Sequence, residues 1–173
     1  ACSFCAIPKI KGKFFSRSIE SVVKEVAALD AKGGKEINII GQDITAYGMD
    51  IYRQKSLAQL LKELVKVTKN IGWLRLLYAF PAHVTDELIE VIAQEKKICS
   101  YIDIPLQHIS DHILLKQNRN ITTKATYELI RKFRKQIPDV FLRTTYIVGM
   151  PGETDQDFNE LRAFNKEMRF ERL

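Results

Sequence analysis

The sequence predicts an α/β fold, a partial parallel (β/α) barrel, from three observations. Short apolar strand segments alternate four times with amphipathic helical segments, the pattern of right-handed βαβ units that build a parallel sheet. A fifth apolar run begins at Phe170. Each loop after a strand is rich in polar groups and glycine: Gly41-Gln42-Asp43, Phe80-Pro81-Ala82-His83, Leu106-Gln107-His108 and the stretch from Gly149 to Thr154. In a closed or partly closed barrel all such loops meet at one mouth, whereas an open doubly wound sheet equips only those at its switch point.

Each element has a local reason. Ser18 is placed to cap a helix whose apolar residues Ile19, Val22, Val23, Val26 and Leu29 share one face, and Gly33-Gly34 stops it. Residues 36–40 form a short buried strand. Ser56 is expected to cap the next helix, with Leu57, Leu60, Leu61, Leu64 and Val65 on one stripe. Residues 73–78 follow as a strand, 85–95 as a helix and 100–104 as a third strand. A short helix from Ser110 and a longer one over 123–136 lead to a strand over 140–148. Thr154 caps the last helix, with Asp157 placed to reach back in a capping box. Ahead of all these, Lys9 to Ser16 reads as a basic connection around Gly12.

The composition sets bounds. A chain of 173 residues is one domain with a sizeable core. No apolar run is long enough to cross a bilayer, so no membrane partner is expected. Three cysteines cannot form a disulfide framework, which favours a reducing, cytoplasmic setting. Twenty-seven basic against 21 acidic residues give a net charge of +6, which permits an acidic partner such as RNA or a ribosome. The basic residues are scattered along helix faces, where solvation alone accounts for them. The chain starts one residue before Cys2 and stops as a new apolar run begins, so the first and last strands are expected to be incomplete or missing.

The densest chemistry is at the start. Cys2 and Cys5, with Ser3 and Phe4 between them, can reach one metal centre from a single loop. Half a zinc site, a redox pair and part of an iron–sulfur ligand set all fit that spacing. No second CxxC or histidine pair completes a zinc site, and iron–sulfur ligation needs further cysteines. Cys99, in an apolar run, is expected in the core.

Cys2-Ser3-Phe4-Cys5-Ala6-Ile7-Pro8, followed by Lys11-Gly12-Lys13 and Ser16-Arg17, resembles the second and third cysteines of the CxxxCxxC motif of radical S-adenosylmethionine enzymes. More narrowly it is similar to the methylthiotransferases. The run from Gly41 to Gly48 resembles their second-strand loop. Residues 105–110 and 147–154 resemble their later barrel signatures. Within that family, residues 77–81, 101–108 and Arg143-Thr144-Thr145 look like the RimO branch, which modifies a ribosomal protein, and less like the tRNA-modifying MiaB branch.

The resemblance implies a TIM-like barrel of the radical SAM type. It implies a 4Fe-4S cluster held by three cysteines, with Cys2 and Cys5 as two metal ligands and the first lying four positions before Cys2. The open iron would chelate S-adenosylmethionine. One-electron reduction then yields a 5′-deoxyadenosyl radical able to take a hydrogen from the β-carbon of an aspartate in a small-subunit ribosomal protein. Such a radical needs a dry mouth. A tRNA substrate is the nearer alternative, and a non-catalytic metal-binding or interaction module the more distant one. An N-terminal methylthiotransferase domain and a C-terminal TRAM domain belong to the family and lie outside residues 1–173, so this stretch alone is expected to be inactive. An electron donor is a further implied partner.

The cofactor-binding candidates are Phe4, Gly41, Gln42, Asp43, Gln107, Arg143 and Gly149. Phe4 would shield the cluster or touch the adenine, or it simply packs the loop. Gly41, Gln42 and Asp43 would meet the methionine end of the cofactor, with turn formation and helix capping as the alternative. Gln107 ends a strand inside the mouth, and His108 beside it reads as a structural hydrogen-bonder. Arg143, mid-strand, needs an anion, either a cofactor or substrate carboxylate or Asp103. Gly149 and Gly152 would let backbone approach the adenine or form a tight turn.

Overall fold

The structure is a computed structural model and describes residues 2–173. Its elements run α1 (Ile7–Lys11), α2 (Ile19–Ala31), β1 (Glu36–Ile39), α3 (Leu57–Val67), β2 (Trp73–Leu76), α4 (Asp86–Gln94), β3 (Ile98–Asp103), α5 (Asp111–Lys116), α6 (Thr123–Gln136), β4 (Phe141–Arg143) and α7 (Asp155–Met168). Single turns of 3-10 helix at Ile44–Ala46 and Pro81–His83 follow β1 and β2. The sheet pairs in the order β1-β2-β3-β4 and every pair is parallel. An order that follows the sequence has no reversal point, so it builds a barrel wall, not a doubly wound sheet. The wall continues past β4: Arg172 bridges Arg143 in parallel, and Thr144 N–H donates to Arg172 O at 3.0 Å. The run at the C-terminus therefore adds a parallel bridge at the edge of β4.

One sheet face is apolar and is covered by helices. Leu74, Leu76, Ile98, Ile102 and Leu142 are buried there with Leu61 and Leu64 of α3, Ile89 and Ile92 of α4, Phe133 of α6 and Phe164 of α7. The opposite, concave face carries Glu36, Arg75, Tyr101, Phe141, Asp103 and Arg143. Arg75 Nε bonds Glu36 at 2.6 Å, its guanidinium lies 5.0 Å over the Tyr101 ring, and Tyr101 stacks on Phe141 with centroids 5.5 Å apart. The amphipathicity of the sheet thus separates a helix-packed layer from an open face of charged and aromatic side chains.

Several elements differ from the sequence reading. Residues 7–11 are helical, because Pro8 sits in the first turn where its missing N–H costs nothing, and Gly12 at φ 78° ends the helix. Ser56 does not cap α3; its hydroxyl donates to Gln54 O at 3.2 Å, and its N–H to Tyr47 O at 2.8 Å. Cys99 is only half-buried on the concave side beside Arg75, and burial pushes its thiol up. Ser18, Thr85, Thr122 and Thr154 cap their helices with side-chain acceptors.

At the start of α7 the capping box is complete. Asp157 Oδ2 accepts from Thr154 N–H at 2.9 Å and from Thr154 Oγ1 at 2.7 Å, and Asp157 N–H donates back to Thr154 Oγ1. Its other oxygen accepts from the Ser110 hydroxyl. Ser110 first, then Thr154, hold this carboxyl well below the usual carboxylate range. A depressed folded-state value gives stability that is full above about pH 4 and is lost as pH falls through the folded value. Asp157→Ala is expected to cost about 2 kcal/mol at neutral pH. Urea unfolding of both proteins at neutral pH and near pH 3 should show the gap narrowing in acid.

Candidate functional site at the barrel mouth

Cys2 and Cys5 sit on a tight turn closed by Cys5 N–H donating to Cys2 O at 3.1 Å. Both thiols are free and half-buried. The turn is docked on the end of α5: Ser3 N–H donates to Gln117 O at 3.0 Å, and Ser3 Oγ to Lys116 O at 2.8 Å. The last carbonyls of a helix have no intrahelical partner, so they are available for this contact. Phe4, between the cysteines, is exposed.

Arg119, just beyond α5, joins this loop to the strand ends. It is 7% exposed. Its Nη1 donates to Cys2 Sγ at 3.5 Å and its Nη2 to Pro105 O at 2.6 Å, after β3. Its guanidinium lies 4.7 Å over the Phe80 ring, after β2. Nε is buried with no partner. Burial pulls this guanidinium below its ordinary value, opposed by the neighbouring sulfur of Cys2 and the charge of Asp43. Phe80 in turn contacts the His83 ring at 4.9 Å. His83 Nδ1 lies 2.6 Å from Asp43 Oδ2. Loops after β1, β2 and β3 thereby meet the cysteine turn in one connected cluster.

Asp43 divides its oxygens. Oδ1 accepts from Thr45 N–H at 2.9 Å and Ala46 N–H at 3.3 Å, capping the 3-10 turn, and also from the Thr45 hydroxyl. Oδ2 is left for His83. Gly41 and Gln42, on the same loop, are exposed. Arg143 Nη1 pairs with Asp103 Oδ2 at 3.2 Å, and the Asp103 side chain is 1% exposed. Asp103 Oδ1 is buried without a hydrogen-bond partner.

The strand exits hold unusual backbone. Tyr78 at φ 65° and Gln107 at φ 70° are left-handed where bulky L-residues rarely are. Tyr78 N–H points at Asp103 Oδ2 at 3.4 Å and Ala79 N–H bonds Asp103 O at 2.8 Å. Gln107 exchanges bonds with the loop after β4: its N–H donates to Thr145 O and its O accepts from Ile147 N–H, both at 2.8 Å. Gln107 Oε1 is buried with no hydrogen-bond partner. Gly149 at φ 77° has open space where a Cβ would point, while at Gly152, φ 85°, the Lys116 ammonium occupies that position.

His108 is structural. Its Nδ1 accepts from Ser110 N–H at 3.1 Å, which leaves the proton on Nε2, 3.7 Å from Glu153 Oε1. Both side chains are buried. The two side chains face each other between the loop after β3 and the loop after β4.

The mouth therefore gathers Cys2, Asp43, Gln107 and the Asp103–Arg143 pair from four separate stretches. Sequence reading missed Arg119, Phe80 and His83 as individual residues. Arg119 lies between two asparagines in a polar inter-helix loop, and no spacing rule marks it as buried. Among the described residues no group of three histidine, cysteine or acidic side chains is arranged to hold a metal. No described helix is long and apolar enough to cross a membrane.

A family model described as the radical SAM superfamily matches residues 1–164. Ribosomal protein uS12 methylthiotransferase RimO from Syntrophotalea carbinolica is 52% identical over 172 residues, which is 99% of this chain and 38% of that protein. The protein of the same name from Caldanaerobacter subterraneus is 51% identical over 173 residues, covering 100% of this chain and 39% of its own length. The chain spans about two-fifths of the length of these curated relatives. Among solved structures, the radical S-adenosylmethionine methyltransferase TsrM from Kitasatospora setae, with cobalamin and a 4Fe-4S cluster bound, shares the fold. It matches at a TM-score of 0.76 and 22% identity, over 98% of this chain and 32% of its own. A parallel wall in sequence order, a paired-cysteine turn on its rim and a family match over nearly the whole length lead to one conclusion: the chain belongs to the radical SAM superfamily.

Proposed function

We propose that residues 1–173 are the radical SAM core of a methylthiotransferase that adds a methylthio group to the β-carbon of an aspartate in ribosomal protein uS12. On this reading the whole protein also carries an N-terminal methylthiotransferase domain and a C-terminal TRAM domain. The observation that carries it is the identity of about one residue in two, over 99% or more of the chain, to proteins named for that activity. A one-electron donor would complete the partners.

The residues present fit an iron–sulfur cluster. Two free thiols lie on one turn, and a buried guanidinium with an unpartnered Nε stands against Cys2. A buried cation is stable only beside an anion, and thiolates bonded to iron supply one. Cys2 and Cys5 would be two ligands, with a third thiolate four positions before Cys2. When bound, the cluster supplies one-electron reduction of S-adenosylmethionine and with it hydrogen abstraction from an unactivated carbon.

The chain's own side chains do the holding. Phe4 would cover the cluster from solvent. Gly41 and Gln42 would leave room and a hydrogen-bonding group for the methionine end of the cofactor, beside an Asp43 already fixed by Thr45 and His83. Gln107 Oε1, buried and unpartnered, would accept from the cofactor, and Gly149 would let backbone come close to the adenine. Arg143, still one-third exposed while paired with Asp103, would turn its free edge to a carboxylate of cofactor or substrate.

Three outcomes test this in the full-length protein, reconstituted anaerobically with iron and sulfide. Cys2→Ala and Cys5→Ala should each lose the broad visible absorption of the cluster and all S-adenosylmethionine cleavage. Absent cleavage by the wild type would sink the reading. Gln107→Ala should keep the cluster spectrum while weakening S-adenosylmethionine binding about tenfold, or about 1.4 kcal/mol, measured by equilibrium dialysis. Mass spectrometry of a strain lacking the gene should find uS12 without its methylthio group; a loss of methylthiolated tRNA nucleosides instead would move the substrate to RNA.

A further inference from the structure

We infer that Arg119 tunes the redox potential of the cluster through an N–H···S hydrogen bond to the Cys2 sulfur. This rests on the cluster reading above and goes beyond it by giving a role to a residue outside the ligand motif.

The argument starts from burial. Arg119 keeps its charge in proteins and is nearly inaccessible, so it needs a compensating anion. Its contacts are few and can each be weighed. Pro105 O is a neutral carbonyl, 2.6 Å from Nη2. The Phe80 ring offers only a quadrupole. Asp43 acts through space and has both oxygens engaged elsewhere, with Thr45 and the 3-10 turn on one side and His83 on the other. Among the described residues that leaves Cys2 Sγ, at 3.5 Å from Nη1, as the one atom in direct contact that can carry a full negative charge.

The contact is held on both sides. Phe80 and Pro105 fix the guanidinium plane from the ends of β2 and β3. Ser3, next to Cys2, is tied to the carbonyls of Lys116 and Gln117, in the same turn that leads to Arg119. Arginine and sulfur are thus carried by one short rigid unit, and the hydrogen bond needs no rearrangement to form.

Reduction adds one negative charge to a cluster. A fixed cation donating to a ligand sulfur stabilises the reduced state more than the oxidised one, so it raises the potential. The burial of Arg119 strengthens the effect. Lysine in this position would keep the charge and lose the fork that reaches Pro105 O and Cys2 Sγ together. Arg119 is on this account a positioning and tuning residue, with no direct part in bond making.

The test is a redox titration of the cluster in the full-length protein, following the electron paramagnetic resonance signal that shifts when S-adenosylmethionine is added. Arg119→Gln should lower the ratio of reduced to oxidised cluster about tenfold at a fixed potential, a downward shift of about 59 mV for one electron. Arg119→Lys should fall between Gln and wild type. In wild-type protein grown on heavy-nitrogen-labelled arginine, the reduced cluster should show a weak coupling to labelled nitrogen that Arg119→Lys removes. An iron-loaded Arg119→Gln protein reducing at the wild-type potential overturns the inference. Should that variant fail to fold or load, absence of the nitrogen coupling in the wild type overturns it equally. Wild-type protein that takes up no iron would bring down the proposed function itself, and so the two failures are told apart.

Discussion

Parallel pairing of the strands in sequence order is the constraint from which the rest of the molecule follows. With every strand pointing the same way, each one delivers its following loop to the same rim, and each helix returns the chain along the outside. The outer face of the sheet must then be apolar to receive those helices, which Leu74, Leu76, Ile102 and Leu142 accomplish. The inner face is freed from packing on helices. It can carry Arg75 against Glu36 and Arg143 against Asp103, pairs that would be costly in a dry core without partners. Division of labour between stability and chemistry is therefore built into the two faces of four short strands.

The rim is stitched together by side chains that cross from one loop to the next. Asp103 receives the backbone after β2, His108 faces Glu153, and Ser110 donates to Asp157 at the start of α7. Parallel strands make no hairpins, so neighbouring rim loops share few backbone bonds and drift apart unless tied. The ties explain why polar residues recur at each strand end even where they touch no ligand. They also explain the short end of α5: it stops at Lys116, and its free carbonyls hold Ser3 of the cysteine turn.

Much of this was legible in the sequence. The strand–helix alternation located four parallel strands, and the caps at Ser18 and Thr154 follow the rule that a short hydroxylated side chain satisfies an orphan N–H. Where that rule failed, at Ser56, a local bond from its hydroxyl to Gln54 O took the place of capping, and its N–H bonds Tyr47 O. The strand over 140–148 was overread because its apolar run continues past the point where the chain leaves the sheet; only Tyr146 still bridges Gln107. Cys99 has an apolar neighbourhood in sequence, yet its register in β3 turns it to the concave side. Arg119 was invisible because nothing local says that a polar inter-helix loop will be covered by an N-terminal turn more than a hundred residues away.

Several residues that break local rules lie at the mouth. Tyr78 and Gln107 take left-handed backbone without being glycine, Arg119 is a buried cation with an orphan Nε, and Asp103 Oδ1 and Gln107 Oε1 are buried without partners. Each departure costs on the order of 1–3 kcal/mol, and none would persist if the surrounding structure did not over-determine it. Within the helix-covered layer the contrast is sharp: its apolar side chains are packed, and its buried Asp30 spends its carboxylate on the backbone N–H groups of Lys69, Asn70 and Ile71. Left-handed backbone also occurs at Asp139, ahead of β4, and at Arg169, after α7, so the mouth is set apart by its unpartnered polar atoms more than by its backbone. Among the described residues the unpartnered groups on the rim loops include acceptors on Asp103 and Gln107, Nε2 of His108, the Tyr146 hydroxyl and, beside Cys2, a donor on Arg119, so a ligand bound there would meet donors and acceptors alike.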